Sequence, residues 1–338
     1  MKNNFALIIT SIAKPDNKAL QLYAKECKDR NIQFIVVGDE ASPKDFHIDG
    51  CDFFSLEIQK KLSFALAKQL PEKQYARKNI GYLQAIKNGA EIIIETDDDN
   101  FPKETFWNKR QAHQTVPTIE KKEWVNSYKY FSDEIIWPRG FPLEQIQKIA
   151  PDISDCKTQQ VYCPIQQNLV DQNPDVDAVF RLTQKLPHSF THKNKIAIGE
   201  QTWCPFNSQN TTFFKDAFPL LYLPSWCSFR MTDIWRSFVA QRICWENNWC
   251  ILFDEATMWQ ERNTHNLLKD FEHEIPGYLN NAKICKTLAE LNLKKGKEFI
   301  YENLITCYKS LIEIEVIAKE EMPLLELWME DLQTISQL

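Results

Sequence analysis

Over the first hundred residues, apolar and polar positions come in blocks. "NFALIIT" (4–10) is a continuous apolar run that predicts a buried strand. "DNKALQLYAKECKDRN" (16–31) has helical periodicity with Pro15 at a first helical position, and "IQFIVVGD" (32–39) is a second β-rich run. Neither strand shows polar alternation, so both faces are expected to be covered, as in a βαβ unit with a right-handed crossover. From Arg77 to Asn88 an apolar stripe of Ile80, Leu83 and Ile86 predicts a helix that stops at Gly89, a natural left-handed cap, before a third strand "AEIIIET" (90–96). Residues 101–250 are mixed, with strand-like pieces "EWVNSYKY" (123–130) and "VDAVFRL" (176–182) between Pro-containing loops. From Pro276 onward the pattern is almost wholly helical. The expected organisation is therefore an α/β body over residues 1–275 and an α-helical region over 276–338.

The third strand runs straight into three aspartates, Asp97, Asp98 and Asp99. On an extended chain Asp97 and Asp99 share a face and Asp98 opposes them. Two converging carboxylates repel unless a cation lies between them, and oxygen-only ligation suits Mg²⁺ or Mn²⁺. In open α/β sheets ligands bind beyond the carboxyl ends of strands, where this triplet lies. The alternative is a solvated acidic turn. Arg77, Lys78 and Asn79 open the preceding helix, where free backbone N–H groups favour an anion, and Gly81 leaves room in the first turn. An anion site and a metal site joined by one helix and one strand describe a cradle for a metal-bound diphosphate. Asp39, after the second strand, falls at the same edge and reads either as a contact to base or ribose or as a turn residue.

Composition narrows the partners. The chain has 338 residues, 43% hydrophobic and 12% aromatic, with a formal net charge of −6 and no long run of like charge, so nothing suggests a grip on nucleic acid. "FALIIT" is too short for a signal peptide or membrane span, which makes the cytoplasm the default. Ten cysteines without a CxxC pair point to reduced, mostly buried thiols.

The run "ARKNIGYLQAIKNGAEIIIETDDDN" resembles the nucleotide-sugar half of GT-A glycosyltransferases, in which an N-x-G-x-x-x-A helix precedes an Asp-x-Asp strand. Together with "WPRGFPL" (137–143), "PDVDAVFRLT" (174–183), "PFNSQNTTFF" (205–214) and "MTDIWRSFVAQRICW" (231–245), it is similar to the STELLO family and, more distantly, to the reversibly glycosylated polypeptides. The resemblance covers roughly residues 1–275. It implies a GT-A, Rossmann-like fold and metal-dependent transfer from a nucleotide sugar, with UDP-glucose favoured, to an unknown acceptor. It further implies Asp97 and Asp99 as the metal pair, with Asp97 and Asp98 on the donor side. Thr10, Ser11 and Asp39 fall at the nucleoside, Arg77 at the diphosphate, and His265 as a further metal ligand. Asp233, at the start of an amphipathic helix, reads either as a helix N-cap or as the general base that deprotonates an acceptor.

For the sugar or acceptor pocket the candidates are the amides Asn207, Gln209 and Asn210, the pair Asp175 and Asp177, Arg139 as a phosphate or carboxylate partner, and Trp137 as a stacking ring. Each has a structural alternative: loop hydrogen bonding, a surface strand, a buried ion pair and the core. Two other functions stay open, a sugar-nucleotide mutase and a non-catalytic scaffold that meets a protein partner through its C-terminal helices.

Overall fold

In the computed structural model, which describes residues 4–262 and 266–337, the amino-terminal pattern folds as its periodicity predicts. β1 (Phe5–Thr10), α1 (Lys18–Asp29) and β2 (Gln33–Val37) form the βαβ unit. Asn17 caps α1 by accepting from Leu20 N, so the helix begins two residues after the Asp16 that follows Pro15. β3 (Asp52–Phe54), α2 (Leu56–Lys61), α3 (Ala65–Gln69), α4 (Lys78–Lys87) and β4 (Ile92–Thr96) follow. Gly89 takes φ +89° just past α4, the left-handed conformation that ends the helix there.

The strands β5 (Asn100–Pro102), β6 (His113–Ile119) and β7 (Glu123–Trp124) lead to the long β8 (Lys157–Asp171); then come α5 (Ala178–Thr183), β9 (Lys195–Ile198), β10 (Thr202–Trp203), β11 (Asn210–Phe214), α6 (Thr232–Trp245) and β12 (Trp249–Gln260). α7 (Leu267–Glu290), α8 (Ile300–Glu313) and α9 (Glu321–Ser336) close the chain. The main sheet has the order β3-β2-β1-β4-β11-β8-β6-β9-β12-β5. β1 pairs in parallel with both β2 and β4, and β11 pairs antiparallel with β4. The chain therefore leaves β1 in one direction and returns on its other side as β4, which creates a crevice at the carboxyl ends of those two strands.

Both faces of the parallel half are covered. Ile8, Ile35 and Val37 join a core with α4 and α6, while Leu7, Ile9, Phe34 and Val36 pack with α1. Gly81 is where α4 meets the sheet: a Cβ there would come within 2.7 Å of Ile8 Cγ2 and 2.8 Å of Val37 Cγ2. Its missing side chain serves helix packing, not the approach of a ligand.

Three expectations change. "EWVNSYKY" is a strand only at Glu123–Trp124; Asn126 then accepts from Tyr128 N and turns Ser127–Tyr130 into a 3₁₀ segment. "VDAVFRL" is the helix α5, because Asp177 caps it by accepting from Phe180 N. Neither Asp175 nor Asp177 sits on a strand, so the surface-strand alternative falls; Asp175 lines the cleft described below and Asp177 is buried as a helix cap. The helical region begins at Leu267, and position 276 falls inside α7, whose Pro276 is accommodated in mid-helix. Ile284, Leu304, Leu311, Leu325 and Trp328 belong to the same apolar cluster as α4 and α6, so these helices are built into the body.

All ten cysteines are free thiols, seven of them buried. Among the described residues no helix is long and apolar enough to cross a membrane.

Candidate functional site

The crevice at the ends of β1 and β4 opens into a cleft of about 420 Å³. It is lined by Thr10, Tyr75 and the three aspartates together with Arg139, Arg181, Arg230 and Arg262 and with Asp175 and Asp233. Exposed Ile12 and Phe229 stand among its lining residues.

The aspartates are not extended. β4 ends at Thr96, and Asp98 and Asp99 form a turn before β5, so all three carboxylates line the cleft. Asp97 Oδ1 accepts from Tyr75 Oη at 2.8 Å and from Lys78 Nζ at 3.3 Å. Asp98 accepts from Ser11 Oγ, and its backbone oxygen accepts from Asn17 Nδ2 at 3.1 Å. Asp99 Oδ1 accepts from Gln260 Nε2 at 2.9 Å. Burial raises the Asp98 pKa, with Asp97 adding to the rise against the Ser11 hydrogen bond. A turn of three acids beside one buried lysine gains from a cation. Mg²⁺ and Mn²⁺ are typically held by one or two carboxylates and complete their shell with water and phosphate oxygens, and this hard-oxygen turn fits that habit. Among the described residues no three His, Cys, Asp or Glu side chains could by themselves cage an ion, and His265 lies outside the described residues.

Opposite the turn, Arg139 spends all five N–H donors inside the protein. Its Nε and Nη2 each donate to Asp175 at 2.8 Å, Nη1 and Nη2 donate to Asp233 at 3.0 and 2.8 Å, and Nη1 also donates to the Arg230 carbonyl. It is a buried ion pair and has no hydrogen left for a phosphate. Asp233 also accepts from Ser208 N and Oγ. Burial alone would raise the Asp233 carboxyl, but the Arg139 charge and hydrogen bonds outweigh it and hold the pKa at about 2. A carboxylate that acidic is a poor proton acceptor at neutral pH. Nor is it the N-cap of α6: that place is Met231, with no side-chain hydrogen bond. The N-cap alternative for Asp233 is therefore not realised, and its carboxylate is engaged by Arg139 and Ser208.

Arg181 differs from its neighbours. Arg230 grips Glu274 Oε1 at 2.7 and 3.0 Å, and Arg262 donates to Asp270 at 2.8 Å. Among the described residues Arg181 has only the Pro174 carbonyl as a hydrogen-bond partner, at 2.8 Å from Nη2, and its buried Nε has none. Burial, with Arg262 adding repulsion, pushes its pKa down to about 9. The guanidinium stays charged at neutral pH, with the Asp175 and Glu274 charges offsetting only part of the burial cost.

Other expected residues fall elsewhere. Arg77 is fully buried, with Nε on Gln59 Oε1 at 2.8 Å and Nη1 on the Leu70 carbonyl at 2.9 Å, and it does not line the cleft. Its neighbour Lys78 takes the inward position instead. Asn79 bridges to the backbone of Leu223 through both amide atoms at 2.9 Å, fastening α4 in place. Asp39 accepts from the backbone N–H groups of Glu40 and Gln74, a turn role outside the cleft lining. Ser11 reaches the site through Asp98, while Thr10 lines it directly with a buried Oγ1 that has no partner.

Asn207 and Asn210 satisfy backbone and neighbouring polar groups, leaving Gln209 as the amide of that stretch that faces the cleft. Trp137 is core: its Nε1 donates to Asp177 at 2.6 Å and its ring meets Phe180 edge-on. Sequence reasoning named Lys78 only as part of an anion-binding helix start and missed Arg181, Arg230, Arg262 and Gln260. Arg181 lay inside a quoted motif, yet no local signal separates it from a surface arginine.

A family model of STELLO glycosyltransferases matches residues 230–337. The helical region is therefore part of what is shared, which corrects the expectation that the resemblance stops near residue 275. Two Arabidopsis thaliana relatives, each titled probable glycosyltransferase, STELLO1 and STELLO2, are 27% and 26% identical over 96% of this chain. The chain spans 44% of the length of each. Among solved structures, a mycobacterial protein aligns with TM-score 0.40 at 10% identity, covering 82% of this chain and 74% of that one. S. aureus TarS aligns with TM-score 0.34 at 12% identity, covering 98% of this chain and 48% of its own. Likeness this loose says nothing of function.

Proposed function

We propose that this chain, which is similar to STELLO glycosyltransferases, binds a nucleotide-sugar donor in its cleft as a metal-bound diphosphate, in the GT-A manner, and transfers the sugar to an acceptor hydroxyl. One observation supports the reading: an acidic turn and Arg181, a half-buried arginine with no hydrogen-bonded carboxylate among the described residues, line one cleft at the carboxyl ends of β1 and β4. A diphosphate with its cation answers both needs at once.

Asp99 and Asp98 or Asp97 would hold Mg²⁺ or Mn²⁺, and such an ion supplies Lewis-acid neutralisation of the departing diphosphate. Arg181 adds fixed positive charge where the leaving group develops negative charge, in a site already organised before reaction. Lys78, donating to the Thr96 carbonyl at 2.8 Å and to Asp97, holds the turn in place. Arg139 and Asp233 act as a brace: Ser208 Oγ lies 2.7 Å from Tyr75 Oη, so the pair is joined by hydrogen bonds to Asp97. UDP-glucose is the first donor to test.

Calorimetry of UDP and UDP-glucose with and without Mn²⁺, on the native chain, Asp99→Asn and Arg181→Ala, decides the matter. Metal-dependent binding that both substitutions weaken is the expected result. Absence of binding under every condition removes the donor site.

A further inference from the structure

The cleft continues past Gln260. A second depression of about 840 Å³ shares Gln260 and Arg262 with it and runs along the end of β12 to Trp259, Lys103, Gln172 and Asn173. Gln260 marks the junction, since the residue that donates to Asp99 also accepts, through its carbonyl, from Asn173 Nδ2 at 3.2 Å. Whatever lies in the outer groove therefore ends one side chain from the acidic turn.

Its chemistry is specific. Trp259 is half-buried and lies flat on Phe101, ring centroids 4.5 Å apart and planes 14° from parallel, so its position is fixed from behind. Lys103 is neutralised by Asp171, and Arg262 by Asp270. The lining holds two cations and two acids, Lys103 and Arg262 against Asp171 and Glu261, and so offers no net attraction to a polyanion. What remains is a rigid aromatic plate beside the amides Gln172 and Asn173. Rings of this kind cover the apolar face of a sugar, and amides hydrogen-bond its hydroxyls without charge.

We propose that this outer groove is the acceptor subsite and takes a neutral oligosaccharide, with Trp259 as its stacking platform. The inference rests on the donor reading above. In the step it serves, the bond from the anomeric carbon to the diphosphate oxygen breaks with its electron pair going to the diphosphate. The acceptor hydroxyl oxygen bonds to the same carbon, and the hydroxyl proton passes to water. Reacting atoms must approach to roughly 3–3.5 Å, which demands an acceptor site contiguous with the donor site.

The test titrates the full chain with cellopentaose, xylopentaose, mannopentaose and trigalacturonic acid, and separately with UDP and Mn²⁺. A neutral pentasaccharide should bind, trigalacturonic acid should not, and Trp259→Ala should weaken saccharide binding about tenfold. Trp259→Phe keeps a ring over Phe101 and should retain most of the affinity, which separates lost stacking from lost folding. If UDP binds and no neutral saccharide does, or Trp259→Ala binds as the native chain does, or trigalacturonic acid is preferred, the acceptor subsite is overturned and the donor site stands. Saccharide binding sensitive to Trp259 without UDP binding supports the groove and overturns the donor site.

Discussion

Arg236 on α6 closes a bidentate ion pair on Glu95 of β4, Nη2 to Oε1 at 2.6 Å and Nη1 to Oε2 at 3.0 Å, with both side chains out of solvent. Glu95 lies two residues before Asp97, and Arg236 lies three after Asp233. The pair thus ties the acidic turn to the brace across the cleft.

Glu95→Gln leaves the Arg236 charge buried and without its counterion, at a cost of roughly 3–5 kcal/mol. Calorimetric melting should show a fall of about 5 °C, at roughly 1.4 °C per kcal/mol for a chain of this size. Adding Arg236→Met should recover part of it. An unchanged melting temperature in the single variant contradicts the assignment.

Arg181→Ala removes a cleft cation that has no hydrogen-bonded carboxylate among the described residues. Hydrogen bonds to charged groups contribute about 1.5–3 kcal/mol, so UDP affinity should drop roughly 10- to 100-fold. Arg77→Lys should lower the melting temperature instead, because Arg77 bonds Gln59 and Leu70 rather than the cleft, and should leave the UDP affinity of the folded protein unchanged.

Chelation should strip UDP affinity from the native chain, and Mn²⁺ should restore it. In Asp99→Asn the restoration should fail, since an amide is a weaker ligand than a carboxylate for a hard cation. Equal UDP binding with and without chelator in the native chain would rule out a metal-bridged donor.

Two buried acids set opposing pH dependences. Burial raises Asp177 to about 7, ahead of the hydrogen bonds from Phe180 N and Trp137 Nε1 that lower it. The folded state keeps that proton while the unfolded chain sheds it near pH 4, so stability falls as pH rises from about 4 to 7, by at most roughly 1.4 kcal/mol per pH unit. Asp233, held at about 2, contributes stability above pH 4 that is lost as pH falls towards 2. Urea titrations across pH 3–8 should show Asp177→Asn flattening the slope between pH 4 and 7. A slope identical to that of the native chain would refute the Asp177 assignment.

α9 is needed for folding. Asp331 accepts from Ala65 N and Leu66 N, both at 2.9 Å, and so caps α3, whose own N-cap residue makes no side-chain bond. Asp331→Ala should cost about 1 kcal/mol. Ending the chain at residue 318 exposes the α3, α4 and α8 surface that α9 covers, and circular dichroism should report an unfolded or aggregated protein.

The strand and helix pattern of the first hundred residues was legible because it is local: continuous apolar runs and a 3.6-residue stripe need no knowledge of distant chain. The middle was less so. Asp177 turned a β-rich run into α5 through one cap, and a single side-chain hydrogen bond outweighs a weak strand preference over six residues. The aspartate turn could be placed at a strand end, but its bend after Thr96 depends on β12 arriving to pair with β5, some 160 residues later.

By itself the sequence determined the βαβ beginning, the stop at Gly89 and the acidic triplet beyond a buried strand. Which cation faces that triplet was decided only by tertiary structure. Arg77 and Lys78 are adjacent, yet successive positions on a helix diverge by about 100°, so one points to Gln59 and the other to Asp97. Arg139, Arg181, Arg230 and Arg262 carry the same charge in the sequence. Asp175, Asp233, Glu274 and Asp270 hydrogen-bond three of them, whereas Arg181 has no hydrogen-bonded carboxylate among the described residues.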